Sequence, residues 1–250
     1  MEYKKIKKMV NNMQRYFVKV RNNDNSFTLS SDDSYHITKV MRAKLKDLVE
    51  IVNDNTVYIC EISSIDNNVK CRIKDSLIDN TNNIPSVTVA QSLVKEQKMD
   101  YILQKSTELG VNKIIPIEAE RSIIKANGKS DKKIERWNKI VKEASEQSKR
   151  ISIPKVSEIK NIKELIKEEY DYKILCSVNE TSTTIKKVLQ NATISDTILI
   201  VIGPEGGFTK SEEETLINNG FISTSLGNRV LRTETASSFV LSIINYVFMR

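Results

Sequence analysis

Two glycine-bearing stretches near the carboxyl end hold the residues best suited to chemistry. The first is Gly203-Pro204-Glu205-Gly206-Gly207-Phe208-Thr209. The second is Leu226-Gly227-Asn228-Arg229-Val230-Leu231-Arg232-Thr233-Glu234-Thr235-Ala236. The chain has seven glycines, and five of them lie between Gly203 and Gly227. So sparing a use places glycine where the backbone needs unusual angles or a ligand must come close. Glu205 would repel a phosphate, and no Lys-Ser/Thr follows as in a P-loop. A carboxylate in such a loop suits a cationic, hydroxylated or amino-bearing ligand better. A plain turn before a helix is the open alternative, with Thr209–Glu212 or Ser211–Glu214 as the capping box. In the second stretch Glu234 can simply cap the next helix, and Arg232 can belong to a structural ion pair.

Other chemistries are narrowed by composition. One histidine, His36, and three scattered cysteines, Cys60, Cys71 and Cys176, make neither a convincing zinc site nor a disulfide framework. Most histidine-based catalysis is excluded with them. Carboxylates, Arg, Lys and backbone groups must carry the chemistry. The 250 residues are 28% charged, with a net charge of +7. That balance favours polyanionic partners such as RNA, although Lys is abundant along the whole chain. No apolar run reaches the roughly 20 residues of a membrane span, and the basic N-terminus is not followed by a signal-like apolar segment. The expectation is a cytoplasmic protein with no membrane and no metal.

The elements that must position these loops follow from periodicity. Residues 14–80 read as short strands, Arg15–Val20, Leu48–Val52, Val57–Ile65 and Val69–Ile73, separated by polar turns, which points to a small barrel. Asp79–Pro85 is the linker candidate. Beyond it strands alternate with helices. Strands are expected at Val87–Val94, Lys113–Glu118, Lys173–Val178, Thr197–Ile202 and Phe221–Leu226. Helices are expected at Gln97–Leu109, Lys132–Lys149 and about Thr235–Phe248, the last with an apolar face suited to a core or a subunit contact. Glu143, Gln147 and Arg150 should share one helix face. The division is therefore 1–80 and 81–250. The fold class is α/β behind a small β domain.

Taken together, GPEGGFT, LGNRVLRTETA, KMDYILQKSTELGV, the Glu120–Ser122 triplet ERS, and KEASEQSKR followed by IP resemble the ribosomal RNA small subunit methyltransferase E family. RYFV and HITKVMR resemble that family's small PUA-like domain. The resemblance covers nearly the whole chain in the expected order. This chain departs from it with Lys46-Asp47 where the family has Gly-Asp, with Met41 where it has Leu, and with extra residues Met1–Met13.

The resemblance implies a trefoil-knotted SPOUT methyltransferase domain with an N-terminal PUA-like β-barrel. It implies S-adenosylmethionine as cofactor and a homodimer with its sites at the subunit contact. The substrate would be N3 of a uridine in 16S ribosomal RNA, most simply within the small ribosomal subunit. Motif matching assigns the cofactor to three loops. They are Leu175–Glu180, with Leu175 a contact; Gly203–Gly207, with Gly203, Pro204, Glu205, Gly206 and Gly207; and Leu226–Leu231, with Leu226, Gly227, Val230 and Leu231. Glu205 or Glu234 would accept the N3 proton, and Arg232 would stabilise charge on the uracil oxygens. Lys98, Arg121 and Arg150 would contact RNA phosphates, with His36, Lys39 and Arg42 adding to them; a half-buried His36 that merely supports the barrel is the alternative. Two competing readings are a pure RNA-binding or assembly protein, which needs neither GPEGG nor LRTETA, and a knotted enzyme acting on transfer RNA or another base atom.

Overall fold

The structure is a computed structural model that describes residues 13–77, 84–125 and 130–248. Most of the Asp79–Pro85 linker candidate and nearly all of the Met1–Met13 extension lie outside those residues. The chain divides into two compact units, residues 1–81 with 145–152, and residues 82–144 with 153–250.

The first unit is built on a five-stranded sheet of order β1-β3-β4-β5-β2. Its strands are β1 (Arg15–Phe17), β2 (Ser26–Thr28), β3 (Leu48–Asn53), β4 (Thr56–Ile65) and β5 (Val69–Leu77). Alternation sends Tyr16, Val49, Ile51, Cys60, Ile62, Val69 and Cys71 into one core with Phe27, Leu29 and Ile37. Register shifts between Ile59/Cys60 and Ile62/Ser64 interrupt the β4–β5 ladder, as β-bulges do. A helix α1 (Ser31–Tyr35), capped by Ser30, runs directly into a π-helical turn over His36–Val40. Lys46 has φ 75°, the left-handed backbone that glycine takes without cost. The turn is thus kept with a lysine, at about 1 kcal/mol of strain.

Segment 145–152 belongs to this unit, unlike the sequence-based division at residue 80. The cause is local. Helix α3 (Ser130–Gln147) ends in a Schellman motif, with Lys149 N–H donating to Glu146 O at 3.4 Å and Arg150 N–H to Ser145 O at 2.9 Å. Lys149 sits at φ 60° where glycine is usual. Its ammonium lies 2.7 Å from Glu50 Oε2, and Arg15 Nη1 donates to Arg150 O at 3.0 Å and also to Lys149 O. Arg15 Nε reaches the same Glu50 oxygen at 2.9 Å. These bonds tie the segment to β1 and β3. Arg150 therefore lies past the helix end, and the expected shared face with Glu143 and Gln147 does not form.

The second unit holds a parallel sheet of order β12-β10-β11-β6-β7-β8, with β9 also pairing β7. Its strands are β6 (Ser86–Ser92), β7 (Lys113–Glu118), β8 (Lys155–Val156), β9 (Lys160–Asn161), β10 (Tyr172–Cys176), β11 (Thr197–Ile202) and β12 (Ile222–Thr224). Parallel strands are covered on both faces, and β11 shows this directly. Ile198, Ile200 and Ile202 join Met99, Ile102 and Leu103 of α2 (Glu96–Glu108), Trp137 and Val141 of α3, and Val240 and Ile244 of α7 (Thr233–Phe248). Leu199 and Val201 join Phe208, Leu216 of α6 (Lys210–Asn218), and Phe221 on the other face. Two short helices, α4 (Ile162–Leu165) and α5 (Ile185–Val188), and a 3-10 turn over Leu189–Asn191 complete the described elements.

Candidate active site

The site is set by strand register. Cys176 of β10 pairs with Ile202 of β11 on one side and Thr224 of β12 on the other. The three strands are parallel, so the loops that begin at Ser177, Gly203 and Ser225 leave one end of the sheet side by side. Ligands of open α/β sheets collect at such strand ends. The three loops enclose a cavity of about 650 Å³, completed by Lys98 of α2 and Glu213 of α6.

Side chains in and around the cavity lock each loop. Gln91 Nε2 donates to Thr233 Oγ1 at 2.9 Å, and Thr233 Oγ1 donates to Gly203 O at 2.7 Å. Arg121 Nη1 donates to Gly206 O at 3.1 Å and Phe208 O at 3.3 Å. Thr209 and Glu212 form the capping box of α6, and Glu212 Oε1 also accepts the Glu120 amide at 2.7 Å. The ERS triplet and GPEGGFT are thereby one assembly. Gly227 has φ 114°, and a Cβ there would meet nothing within 4 Å. Its glycine is required by backbone angle and not by crowding. The first loop is joined to the third by Ser177 N–H on Thr224 O at 3.1 Å and Ser225 N–H on Thr183 O at 2.7 Å. Glu213 accepts from Ser177 Oγ at 2.9 Å and Asn179 Nδ2 at 3.2 Å.

Lys98 and Glu205 of the cavity wall belong to a three-member charge cluster whose third member, Glu234, lies behind the lining residues. Lys98 Nζ is 3.0 Å from Glu205 Oε1 and 3.6 Å from Glu234 Oε2. Burial pushes the Glu205 carboxyl upward, but a bond to its own backbone amide and the Lys98 ammonium outweigh it and hold it below the usual range. Lys98 is raised, chiefly by its hydrogen bond to Glu205. On the opposite loop, bonds from the Ser182 hydroxyl and the Thr183 and Ser182 amides bring Glu180 down to about 2. Burial pushes the Cys176 thiol up to about 12, so it stays neutral. Arg232 lines the cavity, is exposed, and has no ion-pair partner among the described residues. Anionic carboxylates in a partly apolar cleft, with an uncommitted guanidinium at its edge, can hold a cationic ligand and stabilise a developing oxyanion.

The structure brings Gly203, Pro204, Glu205, Gly206, Gly207, Leu226, Gly227, Val230, Leu231 and Arg232 together around this cavity. Leu175 is placed elsewhere. It points into the core of the opposite sheet face, and its neighbour Cys176 lines the cavity instead, because successive strand residues alternate. Glu234 neither caps α7 nor pairs with Arg232; it pairs with Lys98. Lys98 is accordingly committed to two carboxylates and is not a free phosphate contact. Arg121 clamps the glycine loop through its carbonyls. In the first unit, Arg150 is half-buried, its Nε donates to Ser152 O at 3.1 Å, and burial lowers it to about 10. His36 Nδ1 lies 3.0 Å from Tyr16 Oη, the supporting role of the alternative reading. Lys39 and Arg42 are exposed.

Sequence reading missed Gln91 and Glu213, while Cys176 falls within the expected Leu175–Glu180 loop. Glu213 had a signal, since it follows the capping residue Glu212 and its i,i+1 offset turns it from the cap toward the neighbouring loop. Gln91 had none beyond being a polar residue in an apolar strand.

Comparison with known proteins agrees with this geometry. Residues 80–245 match the family described as RNA methyltransferase domain, and residues 29–74 match the RNA methyltransferase PUA domain. Fold and cavity together define an α/β methyltransferase with a PUA-like domain. The chain is 34% identical to the ribosomal RNA small subunit methyltransferase E of Bacillus subtilis, over 94% of this chain and 96% of the relative. Among solved structures it resembles a putative methyltransferase of Legionella pneumophila with bound S-adenosylmethionine, at a TM-score of 0.86 and 28% identity over 94% of this chain and 98% of that one. It also resembles the ribosomal RNA small subunit methyltransferase E of Neisseria gonorrhoeae bound to S-adenosylmethionine, at 0.83 and 27% over 95% and 98%. The chain belongs to the ribosomal RNA small subunit methyltransferase E family.

Proposed function

We propose that this protein transfers a methyl group from S-adenosylmethionine to N3 of a uridine in 16S ribosomal RNA of the small ribosomal subunit. The observation that carries the reading is the single cavity wall made by three in-register loops, with carboxylates inside and Arg232 at the edge. The residues fit that cofactor. A volume of about 650 Å³ suits a small-molecule site. Backbone groups of Gly203–Gly207 and Leu226–Leu231 can bond an adenine, Leu226 and Leu231 give apolar surface, and Glu180, Glu205 and Glu213 suit cationic and hydroxyl groups.

When bound, the cofactor supplies a methyl on a sulfonium leaving group. The chain's own residues do the rest. Uridine N3 carries a proton and is a poor nucleophile. Glu205 or Glu234 accepts that proton, freeing the N3 electron pair for the new N–C bond. Arg232 offsets the negative charge that then gathers on the uracil oxygens. Lys98 holds Glu205 ionised at the cavity and pairs with Glu234 beside it.

Two finer points of architecture belong to the same reading. We take the chain to be knotted: residues 177–184 bridge to Ser225, after which the chain returns to the other face of the sheet as α7, packed on α2. We take it to act as a homodimer, because α7 leaves Phe239 39%, Tyr246 78% and Val247 43% exposed on one helical side.

The test uses small subunits from a strain lacking this gene, with labelled cofactor and mass spectrometry of the nucleosides. The expected product is 3-methyluridine. A different methylated nucleoside, or none together with no heat of cofactor binding, defeats the reading. Glu205→Gln and Glu234→Gln separate the candidate bases: one of them should lose about 10²–10⁴-fold in turnover. Full turnover in both discards a carboxylate base.

A further inference from the structure

The three loops of the cavity are not held alike. The second and third are joined at Thr233, through its bonds to Gln91 and to the Gly203 carbonyl, and both Gln91 and Thr233 are buried. The first loop, residues 177–183, contains no glycine and no residue of positive φ. Its backbone keeps to the broadly allowed regions, so no special dihedral dictates its course. Side chains must set it.

One carboxylate does most of this. Glu213 Oε1 accepts from Ser177 Oγ at 2.9 Å, and Glu213 Oε2 accepts from Asn179 Nδ2 at 3.2 Å. Ser177 Oγ in turn accepts the Asn179 amide at 3.1 Å. The three residues close a ring of hydrogen bonds beside Val178, which is 67% exposed and lines the cavity. Glu180 follows and lines it too. Its Oε1 accepts from the Ser182 hydroxyl, the Ser182 amide and the Thr183 amide at 2.7, 2.7 and 2.9 Å. Glu213 itself makes no ion pair and no other side-chain hydrogen bond among the described residues. Its direction comes from α6. Thr209 and Glu212 are occupied by the cap, and the next residue is turned about 100° around the helix, toward the first loop. Bonds to an ionised acceptor are roughly twice as strong as neutral ones, so this contact outweighs the others available to residues 177–179.

Resting on the reading of the cavity as the S-adenosylmethionine site, we propose that Glu213 is a positioning residue: it holds Ser177–Glu180 in place as the first wall of the cavity and so sets cofactor affinity. Both its oxygens are engaged by the loop, and it acts through Ser177 and Asn179. A loop released from Glu213 samples positions in which Val178 and Glu180 leave the cavity. Apparent affinity then falls with the fraction of molecules whose wall is in place. Bound cofactor holds the loop by its own contacts, so turnover at saturation is retained.

The experiment titrates the full chain with S-adenosylmethionine by calorimetry. In parallel it follows methylation of small subunits from the deletion strain at varied cofactor concentration. Glu213→Ala should weaken cofactor binding about tenfold and raise the cofactor KM alike, with kcat within about twofold. Glu213→Gln should stay within about threefold of the wild type, because an amide can accept from Asn179 and donate to Ser177. Adding Ser177→Ala and Asn179→Ala to Glu213→Ala should cost nothing further, since all three break one ring. Should Glu213→Ala fail to fold, Ser177→Ala alone is read in its place, with a loss of about fivefold. Wild-type affinity in the variant read overturns the proposal. So does a fall in kcat with KM unchanged. A Glu213→Gln loss as large as that of Glu213→Ala overturns it as well, and puts the carboxylate on the ligand itself. No heat from the wild type removes the cofactor reading and this inference together. Wild-type heat without 3-methyluridine, with the variants behaving as expected, leaves the role of Glu213 standing while the methylation reading falls.

Discussion

Two of the three-charge clusters among the described residues, one in the first unit and one at the cavity of the second, are built in opposite proportion. In the first, Arg15 and Lys149 share a single carboxylate oxygen of Glu50, which is 0% exposed. In the second, Lys98 alone serves Glu205 and Glu234, with its side chain 31% exposed. A fully buried carboxylate needs every partner it can find, because the desolvation of each ion costs several kcal/mol. Even so, Glu50 Oε1 has no hydrogen bond. The cavity cluster is partly exposed, although Glu234 Oε2 is itself buried without a hydrogen bond, so water screens its Lys98–Glu205 pair, which contributes little to stability. Its surplus of negative charge is available to a ligand. Burial thus sorts the clusters into one that holds the chain together and one that holds chemistry.

Removing a member tests that division. The largest effect is expected for Glu50→Ala, which leaves Arg15 buried without its counter-ion and should cost about 3–5 kcal/mol in urea unfolding. Cofactor heat per folded molecule should not change. A loss below about 1 kcal/mol would place this cluster with the screened ones. Lys98→Met should show the reverse: under about 1 kcal/mol of stability, but a fall in turnover on the order of 10²-fold. That variant also alters the pH profile. With Lys98 present, Glu205 is held below its ordinary value, so it stays ionised down through about pH 5 and no acid limb should appear above that. Without Lys98 two neighbouring carboxylates repel and one pKa rises. Below that raised value the carboxylate is protonated and cannot accept, so turnover should fall as pH drops. An acid limb near neutrality in the unaltered enzyme would contradict this order. The smallest effect is expected for Gly227→Ala. Its φ of 114° imposes about 1 kcal/mol of strain on any side chain, which should appear as weaker cofactor binding with RNA affinity unchanged.

Legibility in the sequence followed periodicity and punctuation. The strand Thr197–Ile202 and the strand Lys113–Glu118 were readable to the residue, because apolar runs bounded by polar turns have one interpretation. Thr209 with Glu212 identified the start of α6 for the same reason. The five clustered glycines located two of the three cavity loops. Illegible features depended on partners distant in sequence. Nothing local to Lys98 announces carboxylates more than a hundred residues away, and nothing in KEASEQSKR shows that Lys149 would take a glycine's backbone angle to reach Glu50. Leu175 opens the expected Leu175–Glu180 loop but faces away from the cavity, since in a strand one residue is the difference between two faces of a sheet. Ser31–Tyr35 and His36–Val40 were overlooked as helix because five-residue turns of mixed polarity carry no period.

The hydroxyl of Thr233 ties the Gly203 carbonyl to the Gln91 amide with one proton received and one given. Both glycine loops therefore inherit their spacing from a single oxygen atom. Serine could substitute there and valine, though the same shape, could not. Anything that grips one loop reports mechanically on the other, so the two sides of the cavity should tighten or slacken in unison.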